Sequence, residues 1–226
     1  MDWLGLLFPK KCVNCGRWGG YVCDRCQVGL WEEEQICPVC GRNSRYGLRH
    51  TYCRKSYALD GLTCLWAYEG IARKIITKVK YKFYFDYLQE LLISNDEFLN
   101  RVELSFFKRF LQQKPVVVPV PLHPSREKWR GFNQAAIISK LVARSWKLGA
   151  RNLLVKTEDT GQQVGKTRQE RFNRVKDAFS LKSDISDLGS VLLVDDVWTT
   201  GATLSECCQV LKKAGVKQVW GLVLAR

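Results

Sequence analysis

Near the carboxyl end of the chain two adjacent carboxylates, Asp195 and Asp196, leave the apolar run VLLV and lead into Val197, Trp198, Thr199, Thr200, Gly201, Ala202 and Thr203. Vicinal carboxylates at the end of a buried strand are costly unless donors engage them. The cis-diol of a ribose presents two hydroxyls at matching separation. The hydroxyls of Thr199, Thr200 and Thr203, with backbone N–H groups freed by Gly201 at a helix start, form a cradle for a monophosphate. Acid pair and cradle lie one ribose apart, so the loop suits a 5-phosphorylated ribose held at both ends. The plainer reading is an acidic turn that caps the next helix. It leaves unexplained why the apolar strand before and TTGAT after fit together.

A second set of residues with chemistry lies at the other end. Eight of the ten cysteines fall within the first 64 residues. Cys12-x-x-Cys15, Cys23-x-x-Cys26, Cys37-x-x-Cys40 and His50-x-x-Cys53 make four two-ligand knuckles within 42 residues. Zinc's tetrahedral preference needs two knuckles per ion, so eight ligands suit two ions, with the pairing left open. Gly16 and Gly41 directly follow the second cysteine of their knuckles, where the chain must take a positive φ to wrap a metal. The knuckles leave no open coordination position and no neighbouring base, which makes the zinc structural. His50 completes the fourth knuckle; as a mere surface residue it would leave Cys53 a lone thiol. The module, taken as residues 1–56, is too poor in apolar residues to fold unaided, so zinc would supply most of its stability. Cys64, Cys207 and Cys208 have no partner knuckle and read as buried small residues.

The elements that position these groups follow from periodicity. Leu59, Leu62, Cys64, Trp66 and Tyr68 lie near period two and predict a strand or hairpin arm over 57–68. Residues 71–92 are spaced for one helix, or two broken near Tyr81. Within it Lys78, Lys80, Tyr81 and Lys82 interleave base and aromatic, a composition that contacts single-stranded nucleic acid; aromatic core packing is the plain alternative. Val116 to Pro121 is a β-branched run of the kind buried in a parallel sheet. It is followed by a polar basic loop over 123–133 and a helix from Gln134 to Trp146. A second unit runs from a strand beginning at Ser190, through the acid pair, into a helix to about Lys213, a stop at Gly215 and a strand over 218–224. The alternation implies an α/β chain: a parallel sheet flanked by helices, with a ligand crevice at the strands' carboxyl ends.

Formal net charge is +14, and roughly +11 remains after zinc-bound thiolates are counted. The excess gathers in Arg73, Lys74, Lys78, Lys80 and Lys82, in Arg126, Lys128 and Arg130, and in Lys166, Arg168, Arg171, Arg174 and Lys176. Polyanionic partners, nucleic acid or phosphorylated small molecules, are expected. MDWLGLLFPKK has no basic region before its short apolar stretch and no cleavage site after it, so it is not read as a secretory signal. No apolar run approaches the roughly 20 residues that span a bilayer. The expectation is a soluble, cytoplasmic protein, where paired cysteines bind metal before they form disulfides.

VLLVDDVWTTGAT resembles the phosphoribosyl pyrophosphate (PRPP) signature of type I phosphoribosyltransferases. VVPVPLHPSREKWRGFNQA and the four knuckles resemble the ComF family, the competence-associated ComFC-like proteins of bacteria, and this similarity spans essentially the whole chain. The resemblance implies a type I phosphoribosyltransferase fold over 57–226, with 57–92 as connecting strand and helix and 114–226 as the PRPP-binding core. It implies that Asp195 and Asp196 bind the ribose hydroxyls, that Val197 and Thr199 to Thr203 hold the 5-phosphate, and that magnesium arrives with the pyrophosphate. Val120, Pro121, Leu122 and His123 take the place of the pyrophosphate loop, with Arg126, Lys128 and Arg130 close by. Residues 163–179 match the family's mobile segment, where Lys166, Arg168 and Arg171 would close as a lid. Arg174 stands where the family tends to have asparagine, and Trp198 where tyrosine is common. No side chain stands out as an obligatory base, so catalytic residues and acceptor are unassigned. The role implied is natural transformation, acting on incoming single-stranded DNA beside a ComFA-like helicase. The alternative is a non-catalytic PRPP sensor or scaffold that binds single-stranded DNA and the helicase.

Overall fold

The computed structural model describes residues 10–30, 33–81, 99–159, 170, 173, 175–182, 185 and 188–226, the side chains of 79–81 apart. Its centre is a four-stranded, wholly parallel sheet in the order β1-β6-β5-β2, built from β1 (Gly61–Trp66), β2 (Val116–Pro119), β5 (Ser190–Val197) and β6 (Gln218–Ala225). β3 (Leu154–Lys156) and β4 (Phe179–Leu181) form a separate antiparallel pair.

Both faces of the sheet are covered, as a parallel sheet requires. Val117, Leu192, Val194 and Leu222 face one apolar cluster and Val118, Val191, Leu193 and Val223 the other. Into the first pack α2 (Gly70–Tyr81), through Ile71, Ile75 and Ile76, and α5 (Gln134–Ser145), through Ile138 and Val142. There too lies α3 (Ser105–Leu111), whose Phe107 and Phe110 meet Trp220 at ring-centroid distances of 5.8 and 5.5 Å. α6 (Ala202–Lys213) closes the second through Leu204, Cys207, Cys208 and Leu211.

Of the strand or hairpin arm expected across 57–68, the strand is what forms, as β1, with all six of its residues buried. β1 pairs in parallel with β6 throughout, so this stretch is a strand of the central sheet. Its free edge is covered by the cysteine-rich segment. Leu62 donates its backbone N–H to Gly47 O at 2.8 Å, and the Gln35 amide, 3% exposed, accepts from Cys64 N at 3.0 Å and donates to Cys64 O at 2.9 Å. A side chain thus satisfies two groups that a further strand would otherwise satisfy.

The stretch 123–133 was expected as a basic loop. Its first part is instead a helix, α4 (Pro124–Arg130). Pro124 stands at the first helical turn, where a missing N–H costs nothing. His123 caps it by accepting from Ser125 N, and Gly131 ends it with φ 85°. The residues that punctuate this helix, Pro and Gly, are those that also punctuate loops.

Candidate functional site

The segment around Cys12 to Cys26, the first ribbon, contains the short helix α1 (Asp24–Gln27), and the segment around Cys37 to Cys53, the second, a single 3-10 turn, Thr51–Cys53. The two share one knuckle geometry. Cys12 N–H donates to Arg17 O and Gly16 N–H to Cys12 O, and the same pair recurs as Cys37 to Arg42 and Gly41 to Cys37, all between 2.8 and 2.9 Å. Gly16 and Gly41 take φ 76° and 74°, as the wrap requires. The pairing left open by the sequence is sequential. Cys12, Cys15, Cys23 and Cys26 form one group and Cys37, Cys40, His50 and Cys53 the other, each with its ligand atoms within 4.8 Å of one another.

These donor sets fit zinc. Cys15 Sγ lies 3.6 Å from Cys23 Sγ, and Cys40 Sγ 3.4 Å from His50 Nδ1, close to the edges of a tetrahedron with Zn–S of about 2.3 Å and Zn–N of about 2.0 Å. His50 Nε2 lies 3.0 Å from Asn43 O. A carbonyl only accepts, so Nε2 carries the proton and Nδ1 is left free to bind metal. The cysteine thiols differ in how readily they ionise. Burial opposes ionisation of Cys12, but N–H groups of Cys15, Cys23 and Asn14 outweigh it and bring the thiol down to about 6. Burial and the sulfurs of Cys40 and Cys37 push Cys53 up to about 11. A divalent cation resolves this by stabilising all the thiolates together.

At the carboxyl edge of the sheet, Val120 N–H donates to Val194 O at 2.9 Å, so the turn after β2 and the loop after β5 leave the sheet side by side. Asp195 and Asp196 are both half-buried there, and Asp196 N–H donates to Asp195 Oδ1 at 2.9 Å. Thr199 is exposed, while Thr200 and Thr203 are half-buried. Helix α6 follows Gly201, which has no side chain to cap it, and Thr200 Oγ1 accepts from Ala202 N at 3.4 Å; here residues 195 and 197–204 line a tight hollow of about 20 Å³. Trp198, a departure at the sequence level, is 5% exposed and packs beneath Gly201.

On the β2 side, Val120 is buried, and Pro121, Leu122 and His123 are half-buried. Asn133 ties this turn to α5, donating to Val120 O at 2.9 Å and accepting from Ala135 N at 3.0 Å. His123 Nδ1 is taken up by Ser125, with Oγ at 2.7 Å. Arg126 Nε lies 3.2 Å from Asp159 Oδ1, Arg130 Nη1 donates to Gln134 Oε1 at 3.0 Å, and Lys128 is exposed. Lys166, Arg168, Arg171 and Lys82 lie outside the described residues, as do the side chains of Lys80 and Tyr81, while Lys78 is exposed on α2.

One residue at the crevice was not anticipated. Lys156, at the end of β3, is 8% exposed, and its ammonium lies 5.5 Å from the Phe179 ring centre. Burial and the nearby Arg126 guanidinium lower its pKa, while Cys207, Asp159 and Asp195 act to raise it. It is a buried cation within electrostatic reach of Arg126, Asp159 and Asp195.

The comparisons bear on the metal-binding clusters and on the family. A family model described as a double zinc ribbon domain matches residues 3–56. The chain is 30% identical to Competence protein F of Haemophilus influenzae over 96% of its own length and 98% of that protein's. The chain belongs to the ComF family. ComF relatives elsewhere include Competence protein ComFC of Bacillus subtilis, 25% identical over 86% of this chain and 79% of that one. DNA utilization protein YhgH of Escherichia coli is 28% identical over 96% and 98%. The ribbon match and the two closed thiol clusters support structural zinc in this ComF chain.

Proposed function

We propose that this ComF protein binds PRPP in the crevice between the β2 and β5 loops and acts on single-stranded DNA during its uptake or use. The observation that carries the PRPP half is the side-by-side exit of the two loops, fixed by the Val120 to Val194 hydrogen bond. Asp195 and Asp196 are read as partners of the ribose hydroxyls, and the leading N–H groups of α6 with Thr199, Thr200 and Thr203 as partners of the 5-phosphate. Val120 to His123 and Lys156 stand on the pyrophosphate side. Magnesium, carried by the pyrophosphate, would neutralise its charge. The DNA half rests on the relatives' names, which speak of competence and DNA utilization.

If the chain turns over, its own contribution is electrostatic. Pyrophosphate leaves the anomeric carbon as positive charge develops on the ribose, and fixed cations and dipoles stabilise the departing charge. A second reading, a PRPP sensor that does not release pyrophosphate, is favoured by His123. It is the one histidine near the crevice, and its Nδ1 is committed to capping α4.

Calorimetric titration of PRPP with magnesium into zinc-loaded protein tests the site, with and without a single-stranded oligonucleotide. Binding that is abolished by Asp195→Ala with Asp196→Ala, at unchanged zinc content, is the expected result. Undiminished affinity in the double variant would overturn the assignment. Release of pyrophosphate, assayed on a set of nitrogen nucleophiles, separates enzyme from sensor.

A further inference from the structure

Between the first ribbon and α2 lies a cavity of about 520 Å³, remote in sequence from the crevice residues. Its wall holds Arg17, Arg25 and Asn14, the ligand cysteines Cys15 and Cys26 of the first cluster, and an apolar floor of Gly29 and Ile71, with no carboxylate among its described residues. The helix is fastened to the ribbon at this point. Lys74 Nζ donates to Asn14 Oδ1 at 2.8 Å, and Asn14 Nδ2 donates to Cys26 Sγ at 3.4 Å. The floor depends on Gly29, since a Cβ there would stand 2.9 Å from Ile71 Cδ1.

The size lies within the roughly 300–1,000 Å³ range of small-molecule sites, and the lining joins two guanidinium groups to an apolar surface. That pairing suits a unit with a phosphate and a flat ring. The surroundings argue that the unit belongs to a strand. Arg73, Lys74 and Lys78 are exposed on α2, and Arg73 to Lys78 covers about 7.5 Å of helix axis, a length that a lone mononucleotide would leave unused. Trp18, the residue after Arg17, is 57% exposed, with Lys11 Nζ 3.9 Å from its ring centre. An exposed aromatic next in sequence to a cavity arginine suits a single strand, whose unpaired bases can stack on it; a duplex keeps its bases inside.

We propose that this cavity is a subsite for one nucleotide unit of a single-stranded nucleic acid, with Arg17 and Arg25 on the phosphodiester and the strand continuing along α2. The inference rests on the reading that a single strand is the partner, and it gives that strand a surface separate from the PRPP crevice.

The test uses the full zinc-loaded chain, with fluorescence anisotropy of a labelled thymidine 20-mer across a salt series and calorimetry of PRPP. Arg17→Gln with Arg25→Gln should weaken oligonucleotide binding at least about tenfold and flatten the salt dependence by about two phosphate contacts. Zinc content and PRPP affinity should not change, and Arg17→Lys with Arg25→Lys should restore much of the binding. Lys213→Gln with Lys217→Gln removes the same charge elsewhere and should have little effect. The subsite is overturned if the arginine pair changes nothing, if the lysine control weakens binding equally, if PRPP affinity falls with it, or if thymidine 5′-monophosphate competes as well as the strand does. A wild-type chain that binds no oligonucleotide overturns the partner reading itself, and with it the subsite, whatever its PRPP affinity.

Discussion

Gly201 carries the shape of the β5 loop by what it lacks. It takes φ 78°, and a Cβ there would lie 2.2 Å from Trp198 Cζ2. Gly201→Ala should therefore destabilise the fold by about 1–3 kcal/mol through overpacking alone, visible as a lower urea midpoint, and should reduce PRPP affinity with it. Lys156 makes a prediction of different sign. Burial and Arg126 hold its folded-state pKa below the usual lysine value near 10.5, so the unfolded chain binds the proton more readily. Stability should rise as pH climbs through the window below about 10.5. Lys156→Met should lose that slope in pH-dependent unfolding, while its PRPP affinity drops. That Asp195, Asp196 and the threonines share the end of β5 and the start of α6 was legible because they sit together in one uninterrupted motif. Lys156 was not, since a single lysine in LLVKTED reads as a surface charge, and its burial between β3, Phe179 and the β5 loop is a product of tertiary packing.

Among the elements, the strands were legible where apolar runs are bounded by turn residues, as in β2, β5 and β6. β1 was legible as a strand but not in its setting: covering both faces erases the alternation that marks a one-sided strand. α4 was misread because Pro124 and Gly131 serve helix ends and loops alike. α3 was not anticipated, although Phe107 and Phe110 stand three apart on its buried side. The edge of β1 supplies a test at this scale. Gln35→Ala strips partners from the buried N–H and C=O of Cys64, and each group left unsatisfied costs about 1–3 kcal/mol. A loss of about 2–5 kcal/mol in urea unfolding is expected, well above that of Glu34→Ala, its exposed neighbour.

Over the whole molecule the second ribbon and the sheet are bound by charge as well as by backbone. Asp60 receives Arg49 Nη2 at 3.1 Å and Lys212 Nζ at 2.7 Å, and accepts from Val219 N at 2.9 Å. One carboxylate thus joins ribbon, α6 and β6. Loss of metal from the second ribbon should therefore be felt by the sheet. Cys40→Ser is expected to lower the urea midpoint further than Cys15→Ser, with each releasing about one zinc per chain by elemental analysis. The four strands impose a further constraint. β6 lies between β1 and β5 although it is the last strand of the chain. During translation β1 has no strand partner, and β5 has only β2, until residues 218–225 have cleared the ribosome, whereas the knuckles can take up metal long before. The ribbon that covers β1's outer edge is finished first, so the nascent strand meets its native guard ahead of its native partner. A stop codon before Gln218 would leave the early metal-binding module intact and β1 cut off from β5 and β2.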